Sequence, residues 1–288
     1  MLNPYAGCTG SWLRGNLHGH CSESSGCSSV PLFTGIEYHR KAGARFLALT
    51  DHDAVTDLGA ARVRWPEITF LEGFEWSRSQ NILFVGENVP PLYESSLPEA
   101  LKRAAGLLTV VCHPKPYRYR DYWTVPMILA LDPAPVAIEV FNSHYSRPMR
   151  VDPAPNPLYT DTWDAVLSRG MRVWGCANDD SHDPLDFGHA ATWANVPDNS
   201  ALAIMSALMA GRFYGSTGLL LEDVSLDGDE ISVRLDSDAN GRFIGPAGRV
   251  LSQARGRQFS CRASGEPYIR FEAEGPKGRI FLQPFFRN

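Results

Sequence analysis

A chain of 288 residues can bury a large core, and it fits either one barrel-sized domain or a barrel with a small appendage. Its 27 Lys and Arg against 32 Asp and Glu give a net charge of -5, so no global basic field recruits nucleic acid, which is not expected as a main partner. Residues 1–12 lack a basic leader and an apolar core of secretory length, and no stretch approaches the apolar length of a bilayer span. A cytoplasmic location without membrane association is therefore expected. Cys8, Cys21, Cys27, Cys112, Cys176 and Cys261 form no Cys-x-x-Cys pair and are expected to be reduced thiols. Cys21, beside His20, is the one expected to lie near chemistry.

From Leu13 to about Tyr214, strand-like and helix-like segments alternate, which predicts an α/β architecture with mostly parallel strands. The run Leu13 to His18 reads as a first strand, ending in His18-Gly19-His20. A helix is expected from about Thr34 to Ala42, stopped by Gly43. Phe46 to Thr50 is a near-continuous apolar run, the pattern of a strand buried on both faces, and it delivers Asp51-His52-Asp53. Thr69-Phe70-Leu71 leads to Glu75, and Asn81 to Val85 reads as another strand. A helix over Leu97 to Ala105 precedes Leu108 to Cys112, which ends in His113. Pro135 to Ile138 reaches Glu139, with Asn142 following. A helix from Asp161 to Ser168 precedes Arg172 to Cys176, after which come Asp180 and His182. Ser200 to Met209, closed by Gly211, is read as the last helical element. Beyond Gly218 the texture changes: Val224 to Asp236, Gln258 to Ala263, Tyr268 to Glu274 and Arg279 to Pro284 read as short strands. The expected division is therefore residues 1–218 as a barrel and 219–288 as a small β-rich subdomain packed on it. The loop from Ser146 to Thr160, with four prolines, is expected to cover a site.

In a strand, residues i and i+2 share a face, so the imidazoles of His18 and His20 can converge on one metal ion. Several other strands end in His, Asp or Glu. In a (β/α) barrel all such ends open onto one rim, so residues dispersed in sequence meet in space. Neutral imidazole and carboxylate suit Zn, Mn or Fe; Glu75 can bridge two ions, and clustered ions support hydrolysis.

The set His18-Gly19-His20, Thr50-Asp51-His52, Gly73-Phe74-Glu75, His113-Pro114, Glu139-Val140-Phe141-Asn142 and Asp180-Ser181-His182, in this order, resembles the PHP (polymerase and histidinol phosphatase) superfamily over about residues 12 to 215. The tail segments Tyr214 to Gly218 and Tyr268 to Phe271 resemble a branch of it that includes carbaryl-hydrolase-like proteins. The resemblance implies a distorted (β/α)7 barrel with metal ligands His18, His20, His52, Glu75, His113, Asp180 and His182. On the family pattern His18, His20, Glu75 and Asp180 hold one ion, Glu75 and His113 a second, and His52 and His182 belong to a third. Two divalent ions are expected, with one or three as alternatives, because the sequence departs from the pattern twice. Ser25 stands where the family often has an Asp, with Glu23 as a possible substitute, and Asn81 falls near a further family His. Asp51 is read as orienting an imidazole by its carboxylate.

The expected activity is that of a phosphoesterase acting on a small phosphorylated metabolite through a metal-activated hydroxide, with Asp180 or His182 carrying protons. Lys115, Arg118 and Arg120 follow His113-Pro114, and Arg147 and Arg150 sit in the long loop, so Lys115 with nearby arginines is expected to orient a phosphate. The alternatives are hydrolysis of a carbamate, ester or amide by the same metals, and a degenerate non-catalytic metal-binding module. His144 is read as a surface histidine, with a loop ligand or a leaving-group acid as alternatives; His39 and His189 are read as structural.

Overall fold

The computed structural model describes residues 1–118, 121–147 and 155–287. Its first 178 residues alternate largely as the sequence predicts: β1 (Ser11–Asn16), α1 (Leu32–Lys41), β2 (Phe46–Ala48), α2 (Gly59–Arg64), β3 (Thr69–Trp76), β4 (Ile82–Gly86), α3 (Leu97–Arg103), β5 (Leu108–Val111), α4 (Val125–Leu129), β6 (Ala137–Asn142), α5 (Thr160–Leu167) and β7 (Trp174–Asn178), the short helices α2 and α4 being additions to the expected elements. There follow β8 (Ala191–Val196), α6 (Ala201–Ala210) and β9 (Phe213–Ser216), then β10 (Leu221–Asp227), β11 (Glu230–Ile244), β12 (Val250–Arg262), β13 (Tyr268–Gly275), β14 (Gly278–Leu282) and β15 (Phe285–Phe286).

Local chemistry sets these limits. Strands β2, β4 and β5 are buried at every position, as a strand covered on both faces must be. The N-terminus of α3 carries a reciprocal cap between Ser96 and Glu99, and that of α6 is capped by Ser200 Oγ, which accepts from Ala203 N at 3.2 Å. Gly43 (φ 89°) follows α1 and Gly211 (φ 75°) ends α6 in the left-handed conformation that side chains with a Cβ disfavour.

The expected distorted α/β barrel is borne out, with corrections to its strand directions. Strands β1–β2–β3 and β5–β6–β7 pair in parallel, but β4 runs antiparallel to both β3 and β5. Residues 77–81 are too few for the crossover that a parallel neighbour needs. Strand β8, absent from the sequence reading, runs antiparallel to β1 and β9. The sheet is an open path from β10 to β7, and its β1 and β7 sides are drawn together at one end by the parallel bridge Gly19↔Ser181. The run Val224 to Asp236, read as one strand, is a hairpin that turns at Gly228 (φ 56°) between β10 and β11. Through the β9–β14 pair the last strands continue the barrel's own sheet. Tyr5 and Tyr214 pack in the same cluster as Phe243, Phe271 and Phe285.

At the junction of α5 with β13, Arg270 is fully buried. It donates to Asp164 Oδ1 at 2.7 Å and Oδ2 at 2.6 Å and to Glu272, which also receives Arg242 Nε at 2.8 Å. No helix among the described residues is long and apolar enough to cross a membrane.

Candidate metal centre

The ligand-type side chains stand at strand ends on one side of the barrel. His18 and His20 follow β1, His52 follows β2, Glu75 lies near the end of β3, His113 follows β5, and Asp180 and His182 follow β7. Main-chain bonds carry strand register on into these segments: Asp180 N donates to His18 O at 3.0 Å, His20 N to Ser181 O at 3.1 Å, and Glu75 N to Asp51 O at 3.0 Å. His113 (φ 25°) and Asp180 (φ 53°) sit in the left-handed region. Such a conformation costs about 1–3 kcal/mol for a residue with a side chain and persists where the surroundings enforce it, commonly at functional sites.

Two buried carboxylates form the centre. Glu75 Oε2 lies 3.3 Å from His18 Nε2, 3.4 Å from His20 Nε2 and 3.1 Å from His52 Nδ1, while Oε1 lies 3.3 Å from His113 Nε2. Asp180 Oδ1 lies 3.2 Å from His18 Nε2, 3.1 Å from His20 Nε2 and 3.5 Å from His182 Nδ1. Each carboxylate also receives one amide: Asn81 Nδ2 donates to Glu75 Oε1 at 2.7 Å, and Asn142 Nδ2 to Asp180 Oδ2 at 3.1 Å.

A third carboxylate fixes the ring at the heart of the cluster. Glu139 Oε1 takes His18 Nδ1 at 2.9 Å, and its Oε2 accepts from His113 N at 2.7 Å and Asn142 Nδ2 at 3.0 Å. A carboxylate on Nδ1 leaves the Nε2 lone pair for a metal, the usual way a ligating imidazole is oriented. His182 is set alike: its Nδ1 faces Asp180 O at 2.8 Å, and since a carbonyl only accepts, the free lone pair is on Nε2.

Burial pushes the Glu75 and Asp180 carboxyls up, but the surrounding imidazoles together outweigh it, His18 foremost, and both are held well below the carboxylate range. For His18 burial works against the charged form, while Asp180, Glu75 and Glu139 together raise it well above the ordinary value. The cluster thus demands a positive charge at its centre. His18 Nε2 is buried there without a hydrogen-bond partner, so its N–H would be aimed squarely at neither carboxylate. A cation between these atoms fits the donor set better than a proton on His18. The groups His18–His20–Asp180 and His18–Glu75–Cys112–His113 each bring their ligand atoms within 4.8 Å of one another.

Several expectations about neighbouring residues change. Asp51 touches no imidazole: its carboxylate takes Cys21 N at 2.8 Å, Ser25 Oγ at 2.6 Å and Thr56 Oγ1 at 2.5 Å, and reaches His20 only through Ser25, whose Oγ is 3.5 Å from Nδ1. Cys21 donates its thiol to Asp51 at 3.2 Å and, raised by burial to about 12, is held as a packed donor. Glu23 does not replace the carboxylate missing at Ser25, because its Oε2 accepts from Leu32 N at 2.9 Å at the start of α1. His144 is no surface histidine: it lies in the cavity wall with Nδ1 3.2 Å from Asp186 Oδ2 and its ring 4.6 Å from that of His182.

The cavity over the centre measures about 230 Å³, and its wall includes Tyr117, Tyr122, Tyr145 and His144. Among its described lining residues there is no Lys or Arg. Lys115 stands outside that wall, its carbonyl accepting from Asn156 Nδ2. Arg118 Nε donates to Pro155 O at 2.9 Å, and the Arg147 guanidinium is paired with Asp183 and Asp186. Arg120, Arg150 and residues 148–154 of the proline-rich loop lie outside the described residues.

The sequence left Glu139 without a role and passed over Cys27. For Glu139 the available signal was its place at the end of an apolar strand, which metal ligands share with the carboxylates that orient them.

No family model and no curated protein matches the chain by sequence. Solved structures do match. A two-domain protein containing a predicted PHP-like metal-dependent phosphoesterase from Bacteroides vulgatus is 16% identical with a TM-score of 0.53, the match covering 98% of this chain and 96% of that one. An amidohydrolase from Chromobacterium violaceum is 18% identical with a TM-score of 0.48, over 69% of this chain and 96% of that one. A lesion-specific endonuclease from Pyrococcus furiosus is 12% identical with a TM-score of 0.42, over 69% of this chain and 56% of that one. The first of these likenesses spans nearly the whole of both chains, and the fold is of the PHP-like type.

Proposed function

We propose that the chain is a metal-dependent hydrolase whose substrate is a small phosphorylated molecule. The observation that carries this reading is the pair of buried carboxylates, Glu75 and Asp180, ringed by imidazoles, with His18 Nε2 lacking a hydrogen-bond partner between them. Divalent ions of the Zn, Mn or Fe class, two in number, would supply Lewis acidity and a nucleophilic water at neutral pH. His18, His20, Glu75 and Asp180 would hold one, and Glu75 with His113 the other; His52 and His182 stand beside them.

The chain's own residues do the remaining work. Glu139 keeps the proton on His18 Nδ1, and Asn81 and Asn142 hold the two central carboxylates in place. His144, fixed through Nδ1 by Asp186, presents its other nitrogen as the proton donor to the leaving oxygen, a role worth about 10²–10⁴-fold. Asp180 and His182 relay protons where ligation leaves them free. A cavity of about 230 Å³ suits a small substrate. Lys115, Arg118 and Arg147 do not line it, so in this reading the phosphate is neutralised by the ions and imidazoles.

That same wall, with tyrosines and no described Lys or Arg, favours a second reading in which the substrate is an uncharged carbamate, ester or amide. Metal-reconstituted protein assayed on phosphomonoesters, carbamates and amides separates the two. Turnover confined to phosphoesters is expected; turnover confined to carbamates or amides replaces the first reading by the second.

A further inference from the structure

The residue that answers the missing carboxylate at position 25 lies two places on. We propose that Cys27 is a metal ligand, its thiolate completing with His52 and His182, beside His20, an outer site for a thiophilic divalent cation such as zinc. The inference rests on the reading of the histidine–carboxylate cluster as a metal centre, and concerns a ligand that reading does not include.

One ligand atom from each of these four residues lies within 4.8 Å of all the others. A tetrahedral zinc with nitrogen and sulfur ligands needs neighbours roughly 3.3–3.8 Å apart, a contraction that side-chain rotation supplies. The imidazoles already converge: the His20 ring is 4.5 Å from that of His52 and 4.4 Å from that of His182. His182 keeps its Nε2 lone pair free because Nδ1 is committed to Asp180 O. The loop bearing Cys27 is pinned to the same residue, with Ser29 N donating to His182 O at 2.8 Å and Ser28 Oγ to that oxygen at 3.2 Å. The thiol is therefore held at the site by backbone anchored on one of its partners.

The other candidates nearby are occupied. Ser25 Oγ, where a carboxylate is expected, donates to Asp51 and accepts from His52 N at 3.0 Å, and Glu23 caps α1. Cys21 is committed to Asp51, whereas Cys27 is exposed and its thiol stands beside the three imidazoles. Binding would release the thiol proton to solvent and form one sulfur–metal bond, with no change of oxidation state.

The test is cobalt(II) reconstitution of the full-length protein, read by absorption and by metal content per chain. A sulfur-to-cobalt charge-transfer band in the near ultraviolet is expected. In Cys27→Ser the band should vanish and the cobalt affinity of one site should fall roughly tenfold or more, while ions at the inner site remain. Cys27→Asp should restore the metal count without the band. An unchanged Tm of the apo-variants confirms that folding is intact, as an exposed position predicts. Bound cobalt with no such band, or a band that survives Cys27→Ser, overturns the assignment of Cys27 and leaves the inner centre standing. Failure of the wild-type protein to bind cobalt or zinc overturns the metal-centre reading itself, and this proposal with it.

Discussion

Two clusters of buried charge sit in this fold, and they are built on opposite terms. Around Arg270, two carboxylates meet two guanidinium groups, and Asp164 accepts a bidentate pair from one of them at 2.6 and 2.7 Å besides a bond from Tyr268 OH at 3.2 Å. The charges balance and the donors are spent. Around His18, three carboxylates (Glu75, Asp180 and Glu139) face imidazoles, and a buried ring nitrogen has no hydrogen-bond partner. The first arrangement locks α5 to β13; the second is complete only with a cation. Buried charge alone therefore does not mark a functional site, whereas buried charge with an unspent donor set and net negative sign does.

The largest effect that would sharpen this contrast is expected from Glu75→Gln. Turnover should fall roughly a thousandfold with loss of bound metal. The Tm of the metal-free protein should fall only modestly, since His18 holds the Glu75 carboxyl below its ordinary value and its charge stabilises the fold at neutral pH; a drop as large as that of Arg270→Met would make Glu75 a structural group like Arg270. Next comes Arg270→Met, which strands Asp164 and Glu272 and should cost about 3–5 kcal/mol, or roughly 10 °C in Tm, with metal content unchanged. Replacing Asp164, Arg270 and Glu272 together by apolar residues should recover most of that loss, because the desolvation of the ions goes with them. Glu139→Gln should lower metal affinity by about 10–100-fold, with a smaller loss of Tm than Arg270→Met, as expected for a group that orients His18 and also accepts from His113 N and Asn142.

The smallest effect concerns pH. Burial raises the Glu272 carboxyl, but the charge and hydrogen bond of Arg270 outweigh it and hold the group below the ordinary carboxylate value. A group depressed in the folded state stabilises above its unfolded pKa, and that contribution is lost as pH falls through the lowered value. Melting curves from about pH 5 down to about pH 3 should show Glu272→Gln losing less Tm than the wild type.

How much of this was legible in the sequence follows from where the information lies. The ligand-type side chains His18, His20, His52, Glu75, His113, Asp180 and His182 could be picked out because each follows or ends a strand of the barrel, and strand ends share a rim. Strand β8 escaped because Ala191–Val196 lacks the β-branched density that marks a strand, and α2 and α4 are too short to display a helical period. The antiparallel β4 was implicit in its short connection to β3. What the sequence could not supply was the pairing of loop side chains. Arg147 reads as a phosphate ligand until Asp183 and Asp186 are seen against it, His144 as a surface group until Asp186 fixes it in the wall, and Cys27 as one thiol among six until three imidazoles surround it.

The central claim is that a divalent cation completes the cluster around His18. Anomalous diffraction at metal absorption edges, from crystals of the protein purified without chelator, tests it most directly. The account predicts a peak bounded by His18 Nε2, His20 Nε2, Glu75 and Asp180. Density showing no ion there, with His18 Nε2 hydrogen-bonded to one of the two carboxylates in metal-supplemented crystals, would contradict it.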